Sequence, residues 1–189
     1  MPPKLIHMDA ELNSLSPPGR RRPASSTGVA KARLDTPLGP MTALVTDRGL
    51  AGLWFDGQKH HPGVLVAPDG PEHPTLIATA RWLNAYWART GEREPTPTLD
   101  LTGGTPFQRA VWAALLSIPP GTTSTYAVMA AAAGSPAAVR AAGAAIGRNP
   151  ISLIVPCHRV LGSGGALTGY AGGLERKRAL LAHEGAALA

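Results

Sequence analysis

Past residue 33 the chain opens with short apolar runs cut by turn residues. Residues 34–38, 41–46 and 50–55 read as strands, separated by Gly39-Pro40 and by Asp47-Arg48-Gly49. The second separator suits a hairpin turn with glycine at positive φ. Residues 58–71 are loop-like. From 74 to 90 the period changes: Leu76, Ala80, Leu83 and Trp87 recur every three or four positions, which predicts a helix. Residues 92–104, with Pro95, Pro97, Gly103 and Gly104, break the pattern as a linker. A further helix starts with Thr105 as N-cap and Pro106 in the first turn, and Phe107, Val111, Ala114 and Ile118 form its apolar face. After Pro119-Pro120-Gly121 come helices over 126–133 and 136–147, joined at Gly134-Ser135. That is the outline of a helix-turn-helix, although alanine-rich helices also form plain bundles. Residues 151–155 read as a buried strand-like run that delivers Cys157. A glycine-rich loop spans 162–173, and a last helix covers 174–183.

These elements predict an α/β (α+β) chain of two domains. Residues 1–32 read as a disordered basic tail, 33–98 as an N-terminal domain of sheet plus helix, 99–104 as the linker, and 105–189 as a mostly helical C-terminal domain. At 189 residues the chain buries a core without needing a disulfide or metal as a staple. Its single cysteine, Cys157, excludes an internal disulfide framework and any multi-cysteine zinc or iron–sulfur site. No run of about 18 apolar residues occurs; the uncharged span 110–139 is cut by Pro119-Pro120-Gly121-Thr122-Thr123-Ser124. The N-terminal residues lack the apolar core of a secretory signal, so the expectation is a cytoplasmic protein with no membrane partner. The formal net charge of +6 is uneven: from Leu101 onward seven bases face two acids, +5, against +1 over residues 1–100. A basic C-terminal half fits a polyanionic partner such as nucleic acid. An arginine-rich composition produces the same excess without one.

A cysteine beside an apolar run is ordinarily an inert small hydrophobe. The neighbours of Cys157 change that: Pro156 precedes it, His158 is adjacent and Arg159 follows. The reactive species is the thiolate, and a free thiol titrates near ~8.5, so a nucleophilic cysteine needs a cation or a base within reach. Adjacent side chains on an extended segment point to opposite faces. A turn at Cys157, or a bridging water, is therefore required for His158 to act on the sulfur.

The segment Ile154-Val155-Pro156-Cys157-His158-Arg159-Val160 resembles the active-site signature of the 6-O-alkylguanine-DNA alkyltransferases, the methylated-DNA–protein-cysteine methyltransferases. Thr105-Pro106-Phe107-Gln108-Arg109-Ala110-Val111-Trp112, Pro120-Gly121-Thr122-Thr123-Ser124-Thr125-Tyr126, Gly147-Arg148-Asn149-Pro150, Gly169-Tyr170-Ala171-Gly172-Gly173-Leu174 and Leu181-Ala182-His183-Glu184-Gly185 follow in that family's order and spacing. The likeness is strong over 105–185. It is weaker over 34–100, through Pro37-Leu38-Gly39 and Gly49-Leu50-Ala51-Gly52-Leu53.

The resemblance implies a ribonuclease-H-like N-terminal domain and a winged-helix-like C-terminal domain with a helix-turn-helix. It implies DNA repair by direct reversal: irreversible, single-turnover transfer of a methyl or alkyl group from 6-O-alkylguanine, with 4-O-alkylthymine as a further candidate. In that scheme Cys157 attacks the alkyl carbon, His158 is a base acting through water, Glu184 orients His158, and Asn149 braces the reactive segment. Without the family context Glu184 reads as a solvent-facing helix-end carboxylate, and Asn149 as a turn-forming Asn-Pro. Tyr126 crowds the flipped nucleotide and donates to its base. Arg140 fills the gap left behind, on a helix whose Ala137, Ala138, Ala141, Ala142, Ala144 and Ala145 leave a slim surface for the minor groove. Arg159 belongs to the DNA contacts, the Val160 carbonyl meets the guanine amino group, and Tyr170 and Ala171 line the pocket. Ala171 stands where one form of the family has serine, which removes a hydroxyl donor to the 6-oxygen and leaves the backbone N–H. The implied partner is double-stranded DNA containing alkylated guanine, bound by a monomer. No cofactor and no metal are expected: the lone cysteine is committed to chemistry, and His60, His61 and His73 read as exposed loop histidines. The competing scheme is a non-enzymatic sensor of alkylated DNA, but such proteins replace the cysteine. A thiol hydrolase is disfavoured, because no distant histidine with an orienting asparagine is evident.

Overall fold

The computed structural model describes residues 27–89 and 94–187. Three antiparallel strands, β1 (Ala30–Leu34), β2 (Met41–Thr46) and β3 (Gly49–Phe55), form a sheet in that order, and α1 (Pro74–Ala88) packs on it. The β2–β3 hairpin turns through Asp47 and Arg48. Gly49 takes φ 138°, and a Cβ there would collide with the Thr98 carbonyl, so the turn requires glycine. Strand β3 is buried at every position. Leu50, Leu53 and Phe55 join the main core, while Trp54 packs with Leu44 and Leu65 in a smaller cluster.

The C-terminal part contains α2 (Pro106–Leu115), β4 (Ser124–Thr125), α3 (Tyr126–Ala132), α4 (Val139–Gly147), a 3-10 turn over Cys157–Arg159, β5 (Val160–Leu161), a second 3-10 turn at Ser163–Gly165, and α5 (Leu174–His183). Helices α2, α3 and α4 pack on one another, with Trp112 Nε1 donating to the Ala145 carbonyl at 2.9 Å. Strands β4 and β5 pair in parallel, Ser124 against Val160 and Thr125 against Leu161. The strand that leads into the helix-turn-helix therefore lies against the residues that follow the Cys157 turn. One apolar cluster runs from Met41, Leu53 and Phe55 through Leu76 and Leu83 to Trp112, Val155 and Leu180, so the sheet and the C-terminal helices share a core. Among the described residues no helix is long and apolar enough to cross a membrane.

Several boundaries differ from the sequence pattern, each for a local reason. The first strand is 30–34 rather than 34–38, because Pro37 has no N–H for a ladder and Gly39 (φ 103°) turns the chain, with Thr36 Oγ1 donating to the Gly39 carbonyl. Structure thus reaches into the segment assigned to the tail: Thr27 bridges Val66, and β1 starts at Ala30. The rest of that tail, residues 1–26 with Arg20-Arg21-Arg22, lies outside the described residues, as do 90–93. Helix α1 stops at Ala88, capped by Arg89 in the left-handed region (φ 51°). The linker at 99–104 is pinned. Leu99 bridges Leu50, and the buried Asp100 carboxylate accepts from Thr46 Oγ1 (2.6 Å), Thr102 N (3.0 Å), Thr102 Oγ1 (2.5 Å) and Arg48 Nε (3.5 Å). Helix α4 begins at Val139, not Pro136, after a turn closed by Ala138 N on the Ser135 carbonyl. Its Ala142 and Ala145 face the core, leaving Ala141 and Ala144 exposed. Residues 151–155 are buried but form no strand: Ile151 alone bridges Leu53, and Leu153 sits at φ 68°.

The predicted N-cap of α2 is a complete capping box, with Gln108 N donating to Thr105 Oγ1 (3.2 Å) and Thr105 N to Gln108 Oε1 (2.9 Å). Thr105→Ala is expected to destabilise the chain by about 1 kcal/mol, read as a lower urea midpoint at unchanged denaturant slope.

Candidate active site around Cys157

After α4 ends, Asn149 folds the chain back on itself. Its Oδ1 accepts from Ile151 N (3.0 Å), and its Nδ2 lies within donating distance of the Ile151 carbonyl (3.2 Å), the Val155 carbonyl (2.8 Å) and Cys157 Sγ (3.0 Å). One buried amide therefore holds the 149–157 loop and aims a donor at the sulfur. The turn that sequence adjacency demands is present, because Cys157, His158 and Arg159 form the 3-10 turn.

Cys157, His158 and Arg159 are all buried. His158 Nε2 lies 2.8 Å from Glu184 Oε1, at the C-terminal cap of α5. An ionised carboxylate only accepts, so Nε2 carries the proton and Nδ1 keeps its lone pair. Nδ1 is buried and has no hydrogen-bond partner among the described residues. Arg159 grips the same carboxylate in a bidentate pair, Nε to Oε2 and Nη2 to Oε1, both at 2.8 Å, and its Nη1 donates to the Ile118 carbonyl at 2.5 Å. A fourth donor arrives from α1: Tyr86 Oη lies 2.8 Å from Glu184 Oε1.

Burial governs the proton states. It pushes the Cys157 thiol above its ordinary value, and the Asn149 hydrogen bond and the Lys177 charge pull the other way without cancelling it. It lowers the His158 imidazole, outweighing the opposing influence of Glu184, so the ring is neutral at pH 7. Burial disfavours the Glu184 charge too, yet hydrogen bonds from His158 and Arg159 hold that carboxyl well below the usual carboxylate range. Lys177 is brought down to about 8 by burial.

Around the sulfur, Lys177 Nζ donates to the carbonyls of Val160 (2.6 Å), Thr168 (2.6 Å) and Gly169 (3.3 Å). Tyr126, the first residue of α3, donates to the same Thr168 (3.1 Å) and Gly169 (3.3 Å) carbonyls. Tyr170 presents its ring edge-on to His158 at 6.5 Å, and the Ala171 carbonyl accepts from Lys59 N at 2.9 Å.

The fold thus gathers Cys157, His158, Glu184 and Asn149, with Val160 and Tyr170 beside them. Arg140 lies apart, exposed on α4. Arg159, expected among the DNA contacts, faces inward instead, because its guanidinium balances a buried carboxylate. The Val160 carbonyl, expected to meet the guanine amino group, already accepts from Lys177 and has a second lone pair to offer. Two residues of the site went unforeseen. Lys177 follows from its spacing with Leu180, Leu181 and Glu184 at i, i+3, i+4 and i+7, which marks one helix face. Tyr86 falls three positions after Leu83 on the buried face of α1, but nothing in the sequence pairs it with Glu184. Among the described residues no group of three His, Cys, Asp or Glu side chains is placed to hold a metal ion.

A family model described as the DNA binding domain of 6-O-methylguanine DNA methyltransferase matches residues 106–186. The methylated-DNA–protein-cysteine methyltransferase of Mycobacterium tuberculosis is 46% identical over 149 residues, spanning 78% of this chain and 87% of that protein. The Salmonella typhimurium protein of the same name is 63% identical over 84 residues, and there the match spans 44% of this chain and about half, 49%, of the relative. A crystal structure of Mycobacterium tuberculosis OGT in complex with DNA superposes with a TM-score of 0.74 at 43% identity, over 83% of this chain and 93% of that one. Likeness of this extent means that the chain belongs to the methylated-DNA–protein-cysteine methyltransferase family.

Proposed function

We propose that this chain repairs DNA by direct reversal, moving a methyl or alkyl group from the 6-oxygen of guanine in duplex DNA onto Cys157. The observation that carries the reading is the donor set on one sulfur: Asn149 Nδ2 lies 3.0 Å from Sγ, and the next residue is a neutral histidine whose far nitrogen is anchored on Glu184. The thiol proton leaves through one water to His158 Nδ1, a buried acceptor of the kind such waters occupy. The sulfur lone pair then forms the C–S bond as the alkyl C–O bond breaks. That electron pair passes to the guanine 6-oxygen, and the proton taken up by His158 returns through water to complete the restored base. A thioether is a poor leaving group, so each chain acts once.

The base must leave the stack to reach the sulfur. Tyr126 crowds the flipped nucleotide, Arg140 fills the space it vacates, and Tyr170 and Ala171 line the pocket. The exposed Ala141 and Ala144 beside Arg140 suit α4 to a narrow groove, and the relative solved in complex with DNA supports DNA as the partner. In this scheme residues 105–189 bind DNA and transfer the group, and the chain works as a monomer inside the cell.

Equimolar protein and duplex carrying labelled 6-O-methylguanine are expected to give one label per chain, on the Cys157 peptide. Binding without transfer would instead indicate a sensor, and multiple turnover a hydrolase. Cys157→Ala abolishes transfer while keeping DNA affinity, which phosphate contacts dominate. Arg140→Ala slows single-turnover transfer, and an unchanged rate would remove α4 from the groove. Lys177→Met withdraws the cation near the thiol and frees the Val160 and Thr168 carbonyls. A neighbouring charge worth one pKa unit changes the thiolate fraction tenfold, so transfer at neutral pH is expected to slow by about tenfold.

A further inference from the structure

We propose that Tyr86, supplied by the N-terminal helix α1, is a positioning residue for alkyl transfer: its hydroxyl completes the donor set on the Glu184 carboxylate and thereby sets the proton affinity of His158. The inference rests on the proposed roles of Cys157, His158 and Glu184.

A carboxylate offers about four lone-pair sites. On Glu184 four hydrogen bonds arrive, from His158 Nε2, Arg159 Nε, Arg159 Nη2 and Tyr86 Oη, all at 2.8 Å. Tyr86 shares Oε1 with His158 Nε2 and Arg159 Nη2, while Oε2 takes Arg159 Nε alone, so the hydroxyl competes for the very oxygen that holds the imidazole proton. Both ends of Tyr86 are tied to the last turn of α5. His183 Nε2 donates to its carbonyl at 2.9 Å, and its ring stacks on Trp82 (centroids 5.4 Å, 10°) and meets Trp87 edge-on at 5.0 Å. Packing alone would be served by phenylalanine; the hydroxyl is directed at the carboxylate. Burial and the adjacent Glu184 charge raise the phenol above its ordinary value, so it remains a neutral donor through the working range.

The charged and titratable groups around this centre come from each element packed on it. Glu184 faces His158, Arg159 and Tyr86. His158 faces Glu184, Arg159, Lys177 and Cys157, with Tyr170 edge-on. Among these described groups, Tyr86 alone comes from the N-terminal domain. Removing its hydroxyl leaves more negative potential on Oε1 for His158, which favours the imidazolium. The neutral base then becomes scarcer at a given acidic pH, and the acid limb of the transfer rate moves upward.

The test measures single-turnover transfer from duplex DNA bearing labelled 6-O-methylguanine as a function of pH, for the full chain, Tyr86→Phe and His183→Gln. Tyr86→Phe keeps the ring stacks and is expected to transfer about threefold more slowly at pH values on the acid limb, the loss a half-unit displacement gives, with unchanged DNA affinity. Its acid limb is expected to move up by about half a pH unit. His183→Gln loosens α1 from α5, so it lowers Tm while leaving the acid limb in place. A wild-type acid limb in Tyr86→Phe, or an equal displacement in His183→Gln, overturns the inference, because packing rather than the hydroxyl would then set the profile. Absence of transfer by the wild-type chain defeats the repair reading itself; transfer with an unmoved Tyr86→Phe limb defeats this inference alone.

Discussion

Taking a carboxylate out of water is costly unless donors replace its hydration. Glu184 recovers those donors from two distant stretches of chain, His158 and Arg159 in the 3-10 turn and Tyr86 in α1. Because the carboxylate is ionised, it dictates which imidazole nitrogen carries hydrogen, and that leaves Nδ1 free to accept. Because Arg159 is itself buried against it, neither charge can be withdrawn without stranding the other. The same group therefore holds the reactive turn in place and fixes the tautomer on which the proposed base depends.

Opposed influences act on the sulfur, and burial wins. Asn149 and Lys177 favour the thiolate, yet the net shift of Cys157 is toward the thiol. A cysteine kept protonated and out of solvent is a poor target for adventitious oxidants, which react with exposed thiolates. Under the proposed transfer, reactivity requires that the proton first pass to a neighbouring base. The neutrality of His158 fits that order of events, since an imidazolium has no lone pair to offer.

Much of this architecture is legible in the sequence, and the failures have physical causes. The Asp47-Arg48-Gly49 hairpin, the Thr105 capping box and the helical face starting at Leu76 follow from local rules that operate within a few residues. The 151–155 run misleads because a buried apolar stretch looks alike whether its carbonyls join a ladder or meet an asparagine side chain. Here Asn149 Nδ2 reaches the carbonyls of Ile151 and Val155. Arg159 looks like a DNA contact until a carboxylate 25 residues away is folded over it. Lys177 hides between Arg176 and Arg178, although its spacing with Leu180 and Leu181 betrays a buried face. Tyr86 bonds to a partner 98 residues away, a distance over which neighbour patterns carry no information.

The site's position within the fold also ties the helix α3 to the reactive turn. Tyr126 opens α3, and its hydroxyl bonds to the same two carbonyls, Thr168 and Gly169, that Lys177 holds from below. Lys177 in turn caps the Val160 carbonyl, just past the Cys157 turn, and Val160 pairs with Ser124 at the foot of α3. A displacement of α3 on docking would thus press on β5 and on the 168–169 carbonyls together. Packed interiors transmit such strain because they have little free volume to absorb it. The segment that follows β3 closes the loop from the other side: Ser152 Oγ donates to Gln58 Oε1, and Lys59 N donates to the Ala171 carbonyl. The segments on either side of Cys157 are therefore held against the N-terminal part of the chain, which makes that part a structural participant in whatever Cys157 does.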